Sequence, residues 1–133
     1  MMNTATKESF VKSFLALFIA LLSLTVIAEE AVDIKPAELL QADTSEWLII
    51  DVRSAEEYAE GHVPGAINIP HTDMAAQMST IQTYKDKPVV VYCRSGYRAG
   101  KAADVLIEAD FSDVRHLEGD IMGWRNAGHE LEQ

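Results

Sequence analysis

One cysteine, Cys93, stands alone in 133 residues, so no internal disulfide holds this chain together in any compartment. Basic residues are scarce as well: eleven Lys and Arg face twenty-one Asp and Glu, a net charge of −10. That balance excludes nucleic acid and anionic membrane surfaces as general partners, because phosphate is repelled everywhere except at a local basic patch. The chain lacks repeats, low-complexity tracts and a Pro- or Gly-rich linker, having four prolines and seven glycines in all. A solenoid or a string of modules is thereby excluded.

An apolar run of the roughly 20 residues needed to span a membrane is missing too. The longest one, Phe14 to Ala28 (FLALFIALLSLTVIA), follows Lys7 and Lys12 and closes on Val26-Ile27-Ala28 before Glu29-Glu30. A basic start, an apolar segment of about 15 residues and a small residue at the cut form the layout of a secretory signal peptide. Residues 1–28 are therefore expected to be a signal peptide, with an uncleaved N-terminal anchor as the competing outcome. The mature protein is expected to be periplasmic or secreted, with no stable membrane association. Cleavage would leave nine basic and twenty acidic residues, a net charge of about −11.

What remains is one domain, 31–133, in which short apolar runs alternate with helical patterns. WLIIDV (Trp47 to Val52) and VVVY (Val89 to Tyr92) are continuous apolar runs of the kind found in buried parallel strands. AINIP, VRHL and a short run at Val32 to Ile34 bring the strands to five. Between them, Pro36 opens a helix over PAELLQA, and Ser54 with Glu57 makes a capping box before AEEYAE, which Gly61 stops. Further helices are expected over Thr72 to Gln82, Gly96 to Ala109 and Ile121 to Ala127. The fold class is α/β: a central, mostly parallel five-stranded sheet with helices on both faces. In such sheets ligands bind beyond the carboxyl ends of the strands, and Cys93 sits at one of those ends.

From Cys93 to Arg98 (CRSGYR) the chain must turn from strand into helix within six residues, and Gly96 supplies the permissive backbone. Amides in that turn have no intrahelical acceptor, so they form a nest for an anion at the positive end of the helix dipole. Arg94 and Arg98 add positive charge. The whole arrangement favours a thiolate at Cys93, an activated nucleophile inside a cup for an anion. A P-loop is excluded, because three residues rather than four separate Gly96 from Gly100 and Ala102 replaces the metal-binding Ser or Thr. The cysteine phosphatase loop places five residues between Cys and Arg; here four lie between Cys93 and Arg98. The shorter loop makes a tighter cup, matched to one sulfur atom rather than a phosphoryl group.

These residues resemble the single-domain rhodanese, or thiosulfate sulfurtransferase, family. CRSGYR is similar to its six-residue active-site loop, DVRSAEEYAEGHVPGAINIP (Asp51 to Pro70) to its upstream signature, and HLEGDIMGWRNAGHELE to its C-terminal one. The resemblance implies that Cys93 is the catalytic nucleophile, taking sulfane sulfur from a small anionic donor such as thiosulfate. The resulting persulfide passes its sulfur to a thiophilic acceptor, cyanide or a thiol, or to a protein acceptor. Arg94, Ser95, Gly96, Tyr97 and Arg98 are the implied substrate-binding residues, with no metal and no organic cofactor. The competing readings are a persulfide carrier that serves a protein partner and, against the loop length, a phosphatase or arsenate reductase. Three positions depart from the family pattern: Tyr97 in the loop, Asp110 where a glycine often ends the helix, and Asp120 in place of the second glycine of a Glu-Gly-Gly turn. Negative charge at Asp120 is expected to oppose a dianionic donor.

The remaining polar residues have plainer readings. Asp51 and Arg53 are expected to form a structural ion pair rather than a charge relay, and His62 to serve a tight turn. His71, His116 and His129 lack metal-ligand spacing with each other or with Cys93. Trp124 is assigned to core packing ahead of a pocket rim, and Lys101 either adds long-range attraction for the donor or is simply solvated.

Overall fold

The structure is a computed structural model that describes residues 29–133. The expected signal peptide, 1–28, lies outside the described residues. Five strands form the sheet: β1 (Val32–Ile34), β2 (Leu48–Asp51), β3 (Ile67–Asn68), β4 (Val89–Tyr92) and β5 (Val114–Leu117). They run in the order β1-β5-β4-β2-β3, and every pairing is parallel. Four α-helices connect them: α1 (Pro36–Gln41), α2 (Ala55–Glu60), α3 (Tyr97–Glu108) and α4 (Asp120–Asn126).

Why the strands read as unbroken apolar runs is clear from what covers them. Side chains alternate along each strand, so Leu48, Ile50 and Val52 join Val89, Val91 and Cys93 in one buried layer with Ala99, Ala102, Ala103 and Leu106 of α3. Ile49, Val90 and Tyr92 face the opposite layer, packed with Leu39 of α1 and with Ile121 and Trp124 of α4. A strand buried on both faces has no polar side to show. The three alanines of α3 let that helix lie close to β4, which brings its N-terminus next to Cys93. Its far end is closed by Asp110 at φ 65°, where the Phe111 amide donates to the Leu106 carbonyl at 3.1 Å. Asp tolerates that left-handed backbone better than most residues do.

The expected helix over Thr72 to Gln82 is not an α-helix. The chain there makes two 3-10 segments, His71–Asp73 and Met78–Tyr84. Only Met74 and Ile81 of this stretch are fully buried, too few to form an apolar stripe, and the Thr80 hydroxyl donates to the Gln77 carbonyl at 2.6 Å. Local bonds of that kind compete with the α-helical ladder.

The chain leaves β2 toward β3 on one side of the sheet and leaves β4 toward β5 on the other, so the carboxyl ends of β2 and β4 flank a topological switch point. A polar network is buried there. Asp51 is fully buried and Arg53 is 3% exposed. The Arg53 Nε donates to Asp51 Oδ1 at 3.0 Å and its Nη2 to Oδ2 at 2.6 Å, while Nη2 also reaches the Gly61 carbonyl at 2.8 Å. Tyr92 donates its hydroxyl hydrogen to Asp51 Oδ2 at 2.9 Å and accepts from the Val63 amide at 3.0 Å. Burial is the largest influence on Arg53 and on its own disfavours the cation, but the hydrogen bonds and charge of Asp51 outweigh it and leave the guanidinium pKa raised. Burial, then the Asp51 charge, pushes the Tyr92 phenol up as well.

Breaking this pair leaves a buried charge without compensation, which costs far more than the intact pair contributes. Asp51→Ala is expected to lower the free energy of unfolding by about 3–5 kcal/mol, read from the midpoint of urea denaturation. A loss under about 1 kcal/mol would place the pair among ordinary surface contacts.

Candidate active site

The site is built where β4 ends. Cys93 is 2% exposed, and its Sγ accepts a hydrogen bond from the Gly96 amide at 3.0 Å. Gly96 is the N-cap of α3, with φ 125°, a region that side-chain-bearing residues rarely enter. Its carbonyl accepts the Gly100 amide at 2.9 Å, the first bond of the helix. The loop therefore folds its own helix N-terminus back over the sulfur, and the amides of that first turn have no helical acceptor. Sulfur held in this way sits at the positive end of the helix dipole.

From the other side α4 clasps the same loop. The Ile121 amide donates to the Cys93 carbonyl at 3.1 Å and the Met122 amide to the Arg94 carbonyl at 3.3 Å. Asp120, 1% exposed and at φ 54°, accepts from the Cys93 amide at 2.9 Å. The same Oδ1 lies 2.9 Å from Nε2 of His116, whose Nδ1 is 3.5 Å from Asp33. The hydrogen bond to Asp120 is the main cause that raises the His116 pKa above its ordinary 6.5, against the effect of burial.

The six loop residues do not all face the sulfur. Arg94 and Ser95 are exposed, and among the described residues no carboxylate pairs with Arg94. Tyr97 is 75% exposed, with the ammonium of the exposed Lys101 5.6 Å from its ring centroid. Arg98, expected to attract the donor, turns instead to the capping box of α2. Its Nη1 donates to Glu57 Oε1 at 2.6 Å and its Nη2 to Oε2 at 3.0 Å. Glu57 also accepts from the Ser54 amide at 3.3 Å, and the Ser54 hydroxyl accepts from the Glu57 amide at 3.2 Å. The Arg98 guanidinium holds the Glu57 carboxyl down to about 2 from its ordinary 4.5.

Of the other residues singled out in the sequence, Asp51 and Arg53 form the structural pair and His62 stacks on Tyr58 at 3.7 Å within the turn it was assigned to. Trp124 is buried, donates to the Glu130 carbonyl at 2.8 Å and faces the sheet layer opposite Cys93. It does not shape the mouth above the sulfur. A cavity lined by Leu39, Ile49, Val63, Pro64 and Trp124 lies on that opposite side too.

Two features escaped the sequence. The Glu57–Arg98 contact joins residues 41 apart, and nothing local to either one points at the other. The Asp120 bond to Cys93 had one signal, an acidic residue where a glycine is common. Its expected role as a repulsive charge omitted the His116 beside it.

The family model of the rhodanese-like domain matches residues 35–127. A sulfurtransferase of Allochromatium vinosum is 38% identical over 87 residues, which cover 65% of this chain and 79% of that protein. A tRNA uridine(34) hydroxylase of Cronobacter sakazakii is 34% identical over 102 residues, covering 73% of this chain but only 29% of the hydroxylase. Among solved structures, a rhodanese-related protein from Thermoplasma volcanium superposes with a TM-score of 0.67 at 25% identity, covering 76% of this chain and 97% of that one.

The folded-state pKa of Glu57 lies below its ordinary value, so the stability it contributes is complete above pH 4.5 and is lost as pH falls toward about 2. Glu57→Gln is expected to flatten that acid limb in a thermal-melt series. Both side chains are partly exposed, so the loss near neutral pH should be about 1 kcal/mol or less. Arg98→Ala should produce much the same loss, and the double variant little more. Additive losses in the cycle would mean that the two side chains do not act as a unit.

Proposed function

The chain belongs to the rhodanese-like domain family, and from that premise we propose that it moves sulfane sulfur from thiosulfate or a similar anionic donor to a thiophilic acceptor through a persulfide on Cys93. Sulfur transfer in general has the support of the family and of the sulfurtransferase relative. The observation that carries the finer reading is the Gly96 amide on Cys93 Sγ at 3.0 Å, inside a loop of six residues.

The steps follow from that geometry. The Cys93 thiolate attacks the outer sulfur of thiosulfate, a Cys–S bond forms, the S–S bond of the donor breaks, and its electron pair leaves with sulfite. What remains is a persulfide anion, which the loop amides and the α3 dipole hold without needing a counter-ion. Arg94, exposed at the rim, attracts the dianion and steadies the departing sulfite. An acceptor thiolate or cyanide then attacks the outer sulfur, and the electron pair of the persulfide bond returns to Cys93 as thiolate. This is two-step nucleophilic catalysis, in which one difficult displacement becomes two easier ones. Arg98 serves it indirectly, by tying the first turn of α3 to α2 through Glu57.

A second reading, a carrier that delivers the persulfide to a thiol on another protein, draws support from Tyr97. An aromatic ring left 75% exposed beside the loop offers a partner contact that a small acceptor does not need.

Cys93→Ser is expected to lower sulfur transfer from thiosulfate to cyanide by at least about a hundredfold with the fold retained. The wild-type chain should gain the mass of one sulfur atom on incubation with thiosulfate and lose it on addition of cyanide, as read by intact-mass spectrometry. No mass gain, or a gain that survives in the serine variant, would refute the assignment. Loading by thiosulfate that is discharged by a candidate protein thiol but not by cyanide would favour the carrier.

A further inference from the structure

His116 and Asp120 place a charge pair directly behind the reactive loop. Asp120 holds the Cys93 amide through Oδ1, and its Oδ2 lies 3.4 Å from where a Cβ on Gly96 would stand; His116 Cε1 lies 3.7 Å from the same point. The pair thus backs the two residues, Cys93 and Gly96, whose hydrogen bond forms the cup. Asp120 adopts a left-handed backbone to do so, at φ 54°, a conformation that side-chain-bearing residues enter at a cost. A glycine would have met that backbone requirement without strain. Strain of this kind is retained where the side chain has a task.

We propose that Asp120 is a positioning residue for Cys93 and that His116 is its counter-charge, so that together they hold the loop closed while keeping the cup open to anions. With His116 protonated, the carboxylate's charge is balanced and the Cys93 amide keeps a strong, charge-assisted acceptor. With His116 neutral, one unbalanced negative charge stands behind the cup, and it repels an anionic reagent but not a neutral one. The groups facing His116 are few. β1 presents Asp33 and α4 presents Asp120, both acidic; α3 presents Gly96, without a side chain, and the residue in register on β4 is the apolar Val91. Two carboxylates and, among the described residues, no cation paired against the ring favour the protonated form, in keeping with its raised pKa.

The inference deepens the sulfur-transfer reading, since it concerns which donors reach the same sulfur, but its test needs no sulfur donor. Cys93 is alkylated with iodoacetate, an anion, and with iodoacetamide, which is neutral, and both rates are followed by intact mass from pH 5.5 to 9. Both reagents consume the thiolate, so their ratio cancels the thiolate fraction and reports the field at the cup. In the wild-type chain the iodoacetate-to-iodoacetamide ratio is expected to fall about fivefold as pH rises through the titration of His116, the size of effect that a partly screened charge contact carries. His116→Gln, which keeps a donor but no charge, should hold the ratio low at every pH. Asp120→Asn, which keeps an acceptor for the Cys93 amide but no charge, should raise the ratio above that of the wild-type chain at every pH while leaving the slope from His116 in place. A wild-type ratio that does not change with pH overturns the proposal without recourse to any variant, and so does a slope that persists in His116→Gln. A chain that shows the slope yet takes no sulfur from thiosulfate would leave the positioning pair standing and refute the donor instead.

Discussion

The buried Asp51–Arg53 pair is the constraint on which the rest of the molecule depends. Taken alone, such a pair contributes little net stability, because removing two charges from water costs about as much as their attraction returns. Its value here is positional. Four separate pieces of chain converge on it: the end of β2, the turn at Gly61, the Val63 amide through Tyr92, and Tyr92 itself. Tyr92 is the residue before Cys93, so the polar network fixes the point from which the reactive loop departs. An apolar cluster of the same volume would have buried as much surface without specifying that point.

Beyond the anchor, each end of the loop is held by a different element. α4 takes the Cys93 and Arg94 carbonyls with its first amides, and the Asp120 carboxylate takes the Cys93 amide. α2 takes Arg98 at the other end, using a glutamate already employed in its own capping box. A loop of six residues tied at both ends has little freedom, so its amides are in place before any anion arrives. Preorganised donors of this kind are worth more than donors that must be recruited as charge develops. Alternation along β4 keeps the anchor and the chemistry apart: Tyr92 points to one sheet layer and Cys93 to the other.

Much of this was legible in the sequence, and the divide follows the range of the interactions. All five strands, the Ser54–Glu57 capping box and the left-handed close at Asp110 rest on neighbours within a few residues, where apolar period and backbone chemistry act directly. Cys93 and Gly96 belong to the same class, since a strand, a glycine and a helix in succession dictate the turn. The helix expected over Thr72 to Gln82 does not form because the two fully buried residues there, Met74 and Ile81, cannot sustain an amphipathic face. The partner of Arg98 was hidden for a different reason. A cation in an anion-binding loop is expected to face the anion, and only the three-dimensional arrangement reveals a carboxylate 41 residues earlier that claims it first. Asp120 was noticed as an odd residue, but its partner His116 comes into play only because β5 and α4 fold back on each other.

Burial of the sulfur has a consequence for the chain's survival as much as for its chemistry. A disulfide requires two Cα atoms to approach within about 7 Å. Cys93 is 2% exposed beneath its own loop and the first turn of α4, so a second copy of the chain cannot bring its own buried cysteine that close. Two folded copies cannot pair through a sulfur so covered. The same closure that covers the sulfur therefore acts as a size filter against covalent dimerisation, and shape itself shelters the lone cysteine.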